Sequence, residues 1–312
     1  MKDLLRTQDL SRDDVELLLE TAAAFAKDPL RSKSALANKS VAIYMTKPST
    51  RTRLSSETAI AHLGGVPIFI RGDELQLGRG ETIADTAKII SGYCSALIIR
   101  TFAQSDVDEL GAHASIPVIN ALTDDDHPTQ LLADWLTIRE NFGKDIAGRK
   151  FVYLGDGNNM SHAWLIMGAI MGAHVVAATP SGKWAPNAKV VEIAKNIAAK
   201  SGGKVEVSHD PEAASKDASV LYTDVWMSMG DSESERDEKV LALSPFAVTE
   251  NLFSLTNKDS IFMHCLPAHR GEEVEASVID GPRSVIWREA YHRRTTIQSL
   301  LFHLTKGDLK GN

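Results

Sequence analysis

The stretch KFVYLGDGNNMSHAWLIMGAIMGAHVVAAT (150–179) decides the fold class. It opens on an apolar run, KFVYLG, breaks at a Gly/Asn turn, continues as a helical pattern, AWLIMGAIMGA, and closes on a second apolar run, HVVAAT. Both outer runs are apolar almost throughout instead of alternating, as expected of strands covered on both faces of a parallel sheet. Strand, helix, strand in that order is the crossover that parallel strands need. Gly155 and Gly157 match the first two glycines of the dinucleotide fingerprint G-x-G-x-x-G, but the third position is Met160. The second run ends in AATPSG, with no acid to hold a ribose hydroxyl, so a nicotinamide-dependent oxidoreductase is not supported. The turn reads as a tight strand-to-helix connection that can still offer Asn158 and Asn159 to a small polar ligand.

The alternation extends both ways along the 312 residues. Upstream strands are expected at VAIYM (41–45), VPIFI (66–70), ALIIR (96–100) and PVINA (117–121). Downstream they are expected at KVEVS (204–208), ASVLYTDV (218–225), SIFMHCL (260–266) and SVIW (284–287). Helical patterns such as DVELLLETAAAFAK, TIADTAKIISGY and PTQLLADWLTIRENF fall between strands, which predicts an α/β architecture of two doubly wound parallel-sheet domains. The polar stretch ENFGKDIAGRK (140–150) marks the boundary. The expected domains are 1–140 and 150–289, with a closing helix in 290–312 packing back on the first.

Composition narrows the function classes. Asp and Glu number 41 against 34 Lys and Arg, a net charge of −7, which argues against general nucleic-acid binding. No run of eighteen apolar residues appears, so no membrane span is expected. The charged, amphipathic start MKDLLRTQDLSRDDVELLLE is unlike a signal peptide. Two cysteines, Cys94 and Cys265, make no disulfide framework, and a cytoplasmic protein is expected.

Against that acidic background, KPSTRTRLSSE (47–57) concentrates positive charge and hydroxyls just after a strand and at the start of a helical pattern. A helix start exposes free N–H groups and a partial positive charge. Ser49, Thr50 and Thr52 add hydroxyl donors, and Arg51 and Arg53 add forked guanidinium donors, a set suited to an anion such as phosphate. A Ser/Thr cap with solvated arginines is the plainer alternative, and one arginine can face away into a structural pair. Arg100 ends the strand ALIIR, where α/β folds present ligand-binding groups. TDDDHPTQ (123–130) places His127 and Gln130 within a turn of a helix that starts at Pro128. The Gly-rich FIRGDELQLGRGET (69–82) reads as a surface loop, with Gln76 as its polar tip if it is functional. TDVWMSMGDSESERDEK (223–239) puts Asp224 near a strand end, where it can meet an ammonium group. In MHCLPAHRGEE (263–273), Cys265 suggests a thiolate, a metal pair with His269, or an inert buried cysteine.

Taken together, STRTR, the Arg100-Thr101 pair, HPTQ and HCLPAHRG, in that order and at that spacing, resemble the carbamoyltransferase family over essentially the whole chain. Within the family, DGNNM, DVWMSMG and HCLPAHRG are similar to the branch that carbamoylates ornithine. The aspartate branch would be expected to replace HCLP and to lack SMG. The resemblance implies that carbamoyl phosphate and L-ornithine give citrulline and phosphate in a cleft between the two domains. It also implies a homotrimer, or a higher assembly of trimers, with shared active sites and no metal or organic cofactor.

Residue by residue, the resemblance implies that Ser49, Thr50, Arg51 and Thr52 hold the phosphate, with Arg293 returning to it. It implies that Gln76 reaches a neighbour's site, and that Arg100, His127 and Gln130 hold the carbamoyl end, helped by Thr52. Cys265 and Leu266 line the place of reaction, and Asn159, Asp224, Ser228 and Met229 hold ornithine. Thr52, Arg100, His127 and Cys265 are the implied catalytic set. Two departures stand out: Thr129, where the family usually has Cys or a small apolar residue, and Tyr291-His292 beside Arg293. Rival readings are a carbamoyltransferase for putrescine, lysine or an acylated ornithine, and a catalytically silent phosphometabolite-binding homologue.

Overall fold

The computed structural model describes residues 1–74, 80–227 and 232–312. Among these, the strands form two wholly parallel sheets. β1 (Ser40–Met45), β2 (Val66–Arg71), β3 (Ala96–Arg100) and β4 (Val118–Leu122) make a sheet in the order β2-β1-β3-β4. β5 (Lys150–Leu154), β6 (His174–Ala178), β7 (Lys204–Ser208), β8 (Ala218–Thr223) and β9 (Ile261–His264) make a second sheet in the order β7-β6-β5-β8-β9. The doubly wound α/β class expected from the sequence is therefore the class observed. Each sheet reverses its winding once, at β1/β3 in the first and β5/β8 in the second. Ligands in such sheets bind beyond the strand carboxyl ends at that reversal.

The chain separates into two units, Met1–Leu136 with Tyr291–Asn312, and Thr137–Ala290. Each has its own core. In the first, Leu97 and Ile99 of β3 pack with Ala42, Val107 and Leu110. In the second, Val152, Leu154 and Leu221 pack with Phe246 and Phe262. Burying one such Leu, Ile or Phe side chain contributes roughly 1.5–3 kcal/mol, and β3, β8 and β9 are buried along their whole lengths. β2 lies at a sheet edge and leaves Val66 and Ile68 exposed on alternate residues.

Helix boundaries follow local chemistry. The Ser49 hydroxyl accepts the Thr52 N–H and caps the helix Thr50–His62. Asn158 caps Asn159–Ile170 in the same way, several residues before the apolar pattern begins. Gly157 is required by close packing: a Cβ there would stand 2.2 Å from the Ala185 carbonyl carbon. One expected strand is absent. SVIW (284–287) makes only an isolated bridge, Ser284 to Phe262, and from Ile286 the chain is the helix Ile286–Leu304. A four-residue apolar run has too little periodicity to separate strand from buried helix start.

Candidate active site

The first unit gathers a cluster of cations and hydroxyls at its β1/β3 reversal. Register pairs Met45 of β1 with Arg100 of β3, so Arg100 lies beside the exit of β1 that leads to Ser49. Thr50 and Arg51 begin the helix that Ser49 caps; Thr50 is exposed and Arg51 half-buried. Among the described residues, no carboxylate pairs with Arg51. Arg53 turns away, with its Nε donating to Glu57 at 2.9 Å and its guanidinium over the Phe69 ring.

His127 stands directly before the helix Pro128–Phe142, whose first-turn N–H groups of Gln130 and Leu131 its carbonyl accepts. The preceding Asp126 carboxylate accepts the His127 N–H at 2.7 Å and both the N–H and hydroxyl of Thr7. Burial nevertheless pushes its pKa up to about 6. Burial, then the charges of Arg293, Arg100 and Arg51, holds the His127 imidazole well below its ordinary pKa. A neutral imidazole among three guanidiniums is a hydrogen-bonding group that adds no further charge.

Arg293 enters this cluster from the helix Ile286–Leu304. Its guanidinium donates to the Gln130 Oε1, to the Thr129 hydroxyl at 3.4 Å and to the Thr52 hydroxyl at 3.5 Å. The Gln130 amide nitrogen donates to Asp134 Oδ1 at 2.8 Å, which fixes its oxygen toward Arg293. Thr129, one of the unusual residues, thus contributes a hydroxyl to the cluster, 3.5 Å from His127 Nδ1. The other unusual pair braces the helix: the Tyr291 hydroxyl accepts from Arg294 at 2.7 Å, and His292 is buried against Thr295. Lys47, given no role from sequence, is buried, pairs with Asp124 and lies over the Phe102 ring.

The second unit builds an acidic cluster at its own reversal. Register aligns Leu154 with Thr223 and Thr223 with His264, so Gly155, Asp224 and Cys265 follow at one level on three neighbouring strands. Asp224 Oδ1 accepts the Val225 N–H at 2.8 Å and the Cys265 thiol at 2.9 Å, and Oδ2 accepts from Asn158 at 3.3 Å. Cys265 is placed as a thiol donor beside a carboxylate, a setting opposed to thiolate chemistry. Asn158 Oδ1 accepts the Met160 and Ser161 N–H groups, so this side chain caps a helix and touches Asp224 at once. Burial, then the charges of Asp224, Asp156 and Cys265, raises the Tyr153 phenol well above its ordinary pKa. Tyr153 therefore stays a neutral donor toward Asn158, at 3.3 Å.

Leu266 takes a left-handed φ of +58°, uncommon for a residue with a Cβ, and precedes a cis proline. Its N–H donates to His264 Nδ1 at 2.8 Å. That leaves Nε2 as the protonated nitrogen, facing Glu273 Oε1 at 3.2 Å. The His264 N–H donates to Glu289. Glu273 and Glu289 had no sequence-derived role: neither an acid in a polar loop nor one in the first turn of a helix carries a periodic signal that marks it as buried. Asn159 opens the helix after Asn158. Gln76, Ser228 and Met229 lie outside the described residues.

Comparison with known proteins likewise finds two consecutive domains, although the second match runs on to residue 304, into the helix that the first unit holds. Residues 2–140 match the family model for the aspartate/ornithine carbamoyltransferase carbamoyl-P binding domain, and residues 147–304 that for its Asp/Orn binding domain. The ornithine carbamoyltransferase of Pyrococcus horikoshii is 48% identical over 98% of this chain and 96% of its own. The solved ornithine carbamoyltransferase of Pyrococcus furiosus superposes with a TM-score of 0.93 at 47% identity, covering 99% of this chain and 98% of that one. The Giardia lamblia enzyme, ornithine transcarbamoylase, superposes with a TM-score of 0.89 at 34% identity, covering 97% and 98%. The chain belongs to the aspartate/ornithine carbamoyltransferase family.

Proposed function

We propose that this protein transfers the carbamoyl group of carbamoyl phosphate to the δ-amine of L-ornithine, giving L-citrulline and phosphate. The observation that carries the reading is the likeness, over 98% of the chain, to a relative named ornithine carbamoyltransferase. The two clusters support it, because one suits a phosphate dianion and the other an ammonium.

The phosphate is held by Ser49, Thr50, Arg51 and Thr52 at the helix start, and by Arg293. The carbamoyl oxygen lies toward Arg100, His127 and Thr52, with Gln130 at the carbamoyl nitrogen. Asp224 meets the α-ammonium of ornithine, with Asn159 and the 228–229 segment around it. The δ-amine, with an ordinary pKa of about 10.4, reacts as the neutral base. Its nitrogen attacks the carbamoyl carbon, negative charge builds on the carbamoyl oxygen, and the C–O bond to phosphate breaks. Arg100 and the neutral His127 stabilise that oxygen, and the departing phosphate takes up the amine's proton. Cys265 and Leu266 border the reacting amine, and Cys265 forms no covalent intermediate. Most of the acceleration is positioning and electrostatics.

The protein further functions as a homotrimer, or an assembly of trimers, in the cytoplasm, in the biosynthetic direction that the Pyrococcus furiosus relative's name, "anabolic", indicates. Exposed Val66 and Ile68 on the β2 edge, with exposed Leu54, support self-association.

The test is citrulline formation by the purified protein with carbamoyl phosphate and, in parallel, ornithine, lysine, putrescine, N-acetylornithine or aspartate. Ornithine is expected to exceed every other amine by at least about tenfold in kcat/KM. Preference for another amine overturns the acceptor assignment. Binding of carbamoyl phosphate without turnover of any amine makes the chain a silent homologue.

A further inference from the structure

The turn after the Cys265-Leu266 segment gathers three metal-ligating side chains that have no part in the proposed carbamoyl transfer. His269, Glu272 and Glu273 bring one ligand atom each within 4.8 Å of one another. The turn is built for this: the Glu272 N–H returns to the His269 carbonyl at 3.0 Å, and Gly271 takes φ +89°, a backbone conformation that suits glycine. The side chains form a gradient from interior to solvent. Glu273 is fully buried, the Glu272 side chain is 35% exposed and that of His269 is 54% exposed.

Glu273 supplies the independent sign of a ligand. Its Oε1 accepts the His269 N–H at 2.5 Å and faces His264 Nε2 at 3.2 Å. Its Oε2 is buried and has no hydrogen-bond partner among the described residues. That oxygen points toward His269 Nδ1, 3.7 Å away. Leaving one oxygen of a buried carboxylate unsatisfied is costly, and a cation removes the cost. Two ligand atoms of one tetrahedral zinc, each bonded at about 2.0–2.1 Å, stand about 3.3 Å apart. The observed 3.7 Å therefore closes with a small adjustment. Arg236 donates to one oxygen of Glu272 at 3.0 Å, and a carboxylate retains a second oxygen for a metal.

The geometry points to a divalent-cation site of the zinc class formed by His269 Nδ1, Glu272 and the buried Glu273 Oε2, with water completing the coordination. One imidazole and two carboxylates are a borderline nitrogen and oxygen donor set, suited to zinc or cobalt. Because Glu273 also holds His264, the ion fixes the carboxylate on which the Leu266 turn rests.

The experiment titrates zinc, and separately cobalt(II), into the full chain carrying Cys265→Ser, which removes the sulfur near Asp224 as a competing ligand. Calorimetry is expected to show one equivalent bound, and cobalt to give a d–d spectrum without thiolate charge transfer. In the same background, His269→Ala and Glu272→Gln, both on partly exposed side chains, are expected to weaken binding at least about tenfold, as loss of a metal's supporting groups does. Glu273→Gln tests the buried ligand, with circular dichroism to verify folding. Binding that vanishes with Cys265→Ser alone, or that persists unchanged in His269→Ala, overturns the site. Either result leaves His269 and Glu273 as close neighbours without a metal.

Discussion

The first unit gathers Arg51, Arg100 and Arg293 around an imidazole kept neutral by burial and by their charge, whereas the second arranges an amide, a thiol and the Val225 N–H around the carboxylate of Asp224. The first draws its residues from widely separated chain segments, including the late helix Ile286–Leu304. The second takes its residues from corresponding levels of one sheet, just past β5, β8 and β9. A chain with a net charge of −7 thus concentrates cations locally against the sign of its overall field. Among the described residues, Asp224 is oriented by these donors and no cation is paired with it.

If the clusters divide the substrates in this way, substitutions in each affect one substrate and spare the other. The largest effect is expected for Arg51→Ala. Hydrogen bonds to charged groups contribute about 1.5–3 kcal/mol each, so losing a guanidinium fork weakens carbamoyl phosphate binding on the order of 100-fold. Equilibrium titration of each ligand checks this, and an unchanged carbamoyl phosphate affinity removes Arg51 from the site. Next in size is Asp224→Asn, expected to raise the KM for ornithine about tenfold, the lower end of that range, with carbamoyl phosphate binding nearly intact. The reverse pattern would exchange the roles of the two clusters.

The smallest effect is a pH slope. His127 has a folded pKa below its unfolded value of about 6.5, so in that window the unfolded chain binds a proton that the folded chain does not. Its contribution to stability is complete above about pH 6.5 and is lost as the pH falls, by at most about 1.4 kcal/mol per pH unit. Denaturant unfolding from about pH 5 to 7.5, spanning the ordinary imidazole pKa, is expected to show a shallower slope for His127→Asn than for the parent. Equal slopes would show that His127 titrates normally in the fold.

The sheets were legible because buried parallel strands are apolar on both faces and longer helical patterns separate them. The Ser49 cap and the Pro128 helix start were legible because caps depend on local side-chain chemistry. SVIW does not separate strand from helix because the strand preference of its Val, Ile and Trp depends on context that four residues do not supply, and Ile286 is buried in either case. Long-range partners were not legible. Nothing near Gln130 announces Arg293, 163 positions away. Nothing in GEE distinguishes a fully buried Glu273 from its more exposed neighbour Glu272. Sequence offered both Asn158 and Asn159 to a polar ligand, but not that the Asn158 amide would reach Asp224, 66 positions away.

The second unit is one unbroken segment, Thr137–Ala290, set between two pieces of the first in the chain. On the proposed reading, the genetic information for the acceptor is a single cassette, while that for the donor is split around it. Recombination at two joints could then exchange one amine for another and retain Arg51, Arg100, His127 and Arg293 untouched. New acceptors in such a lineage can arise by substitution of a block of coding sequence, without rebuilding the part that handles the high-energy phosphate.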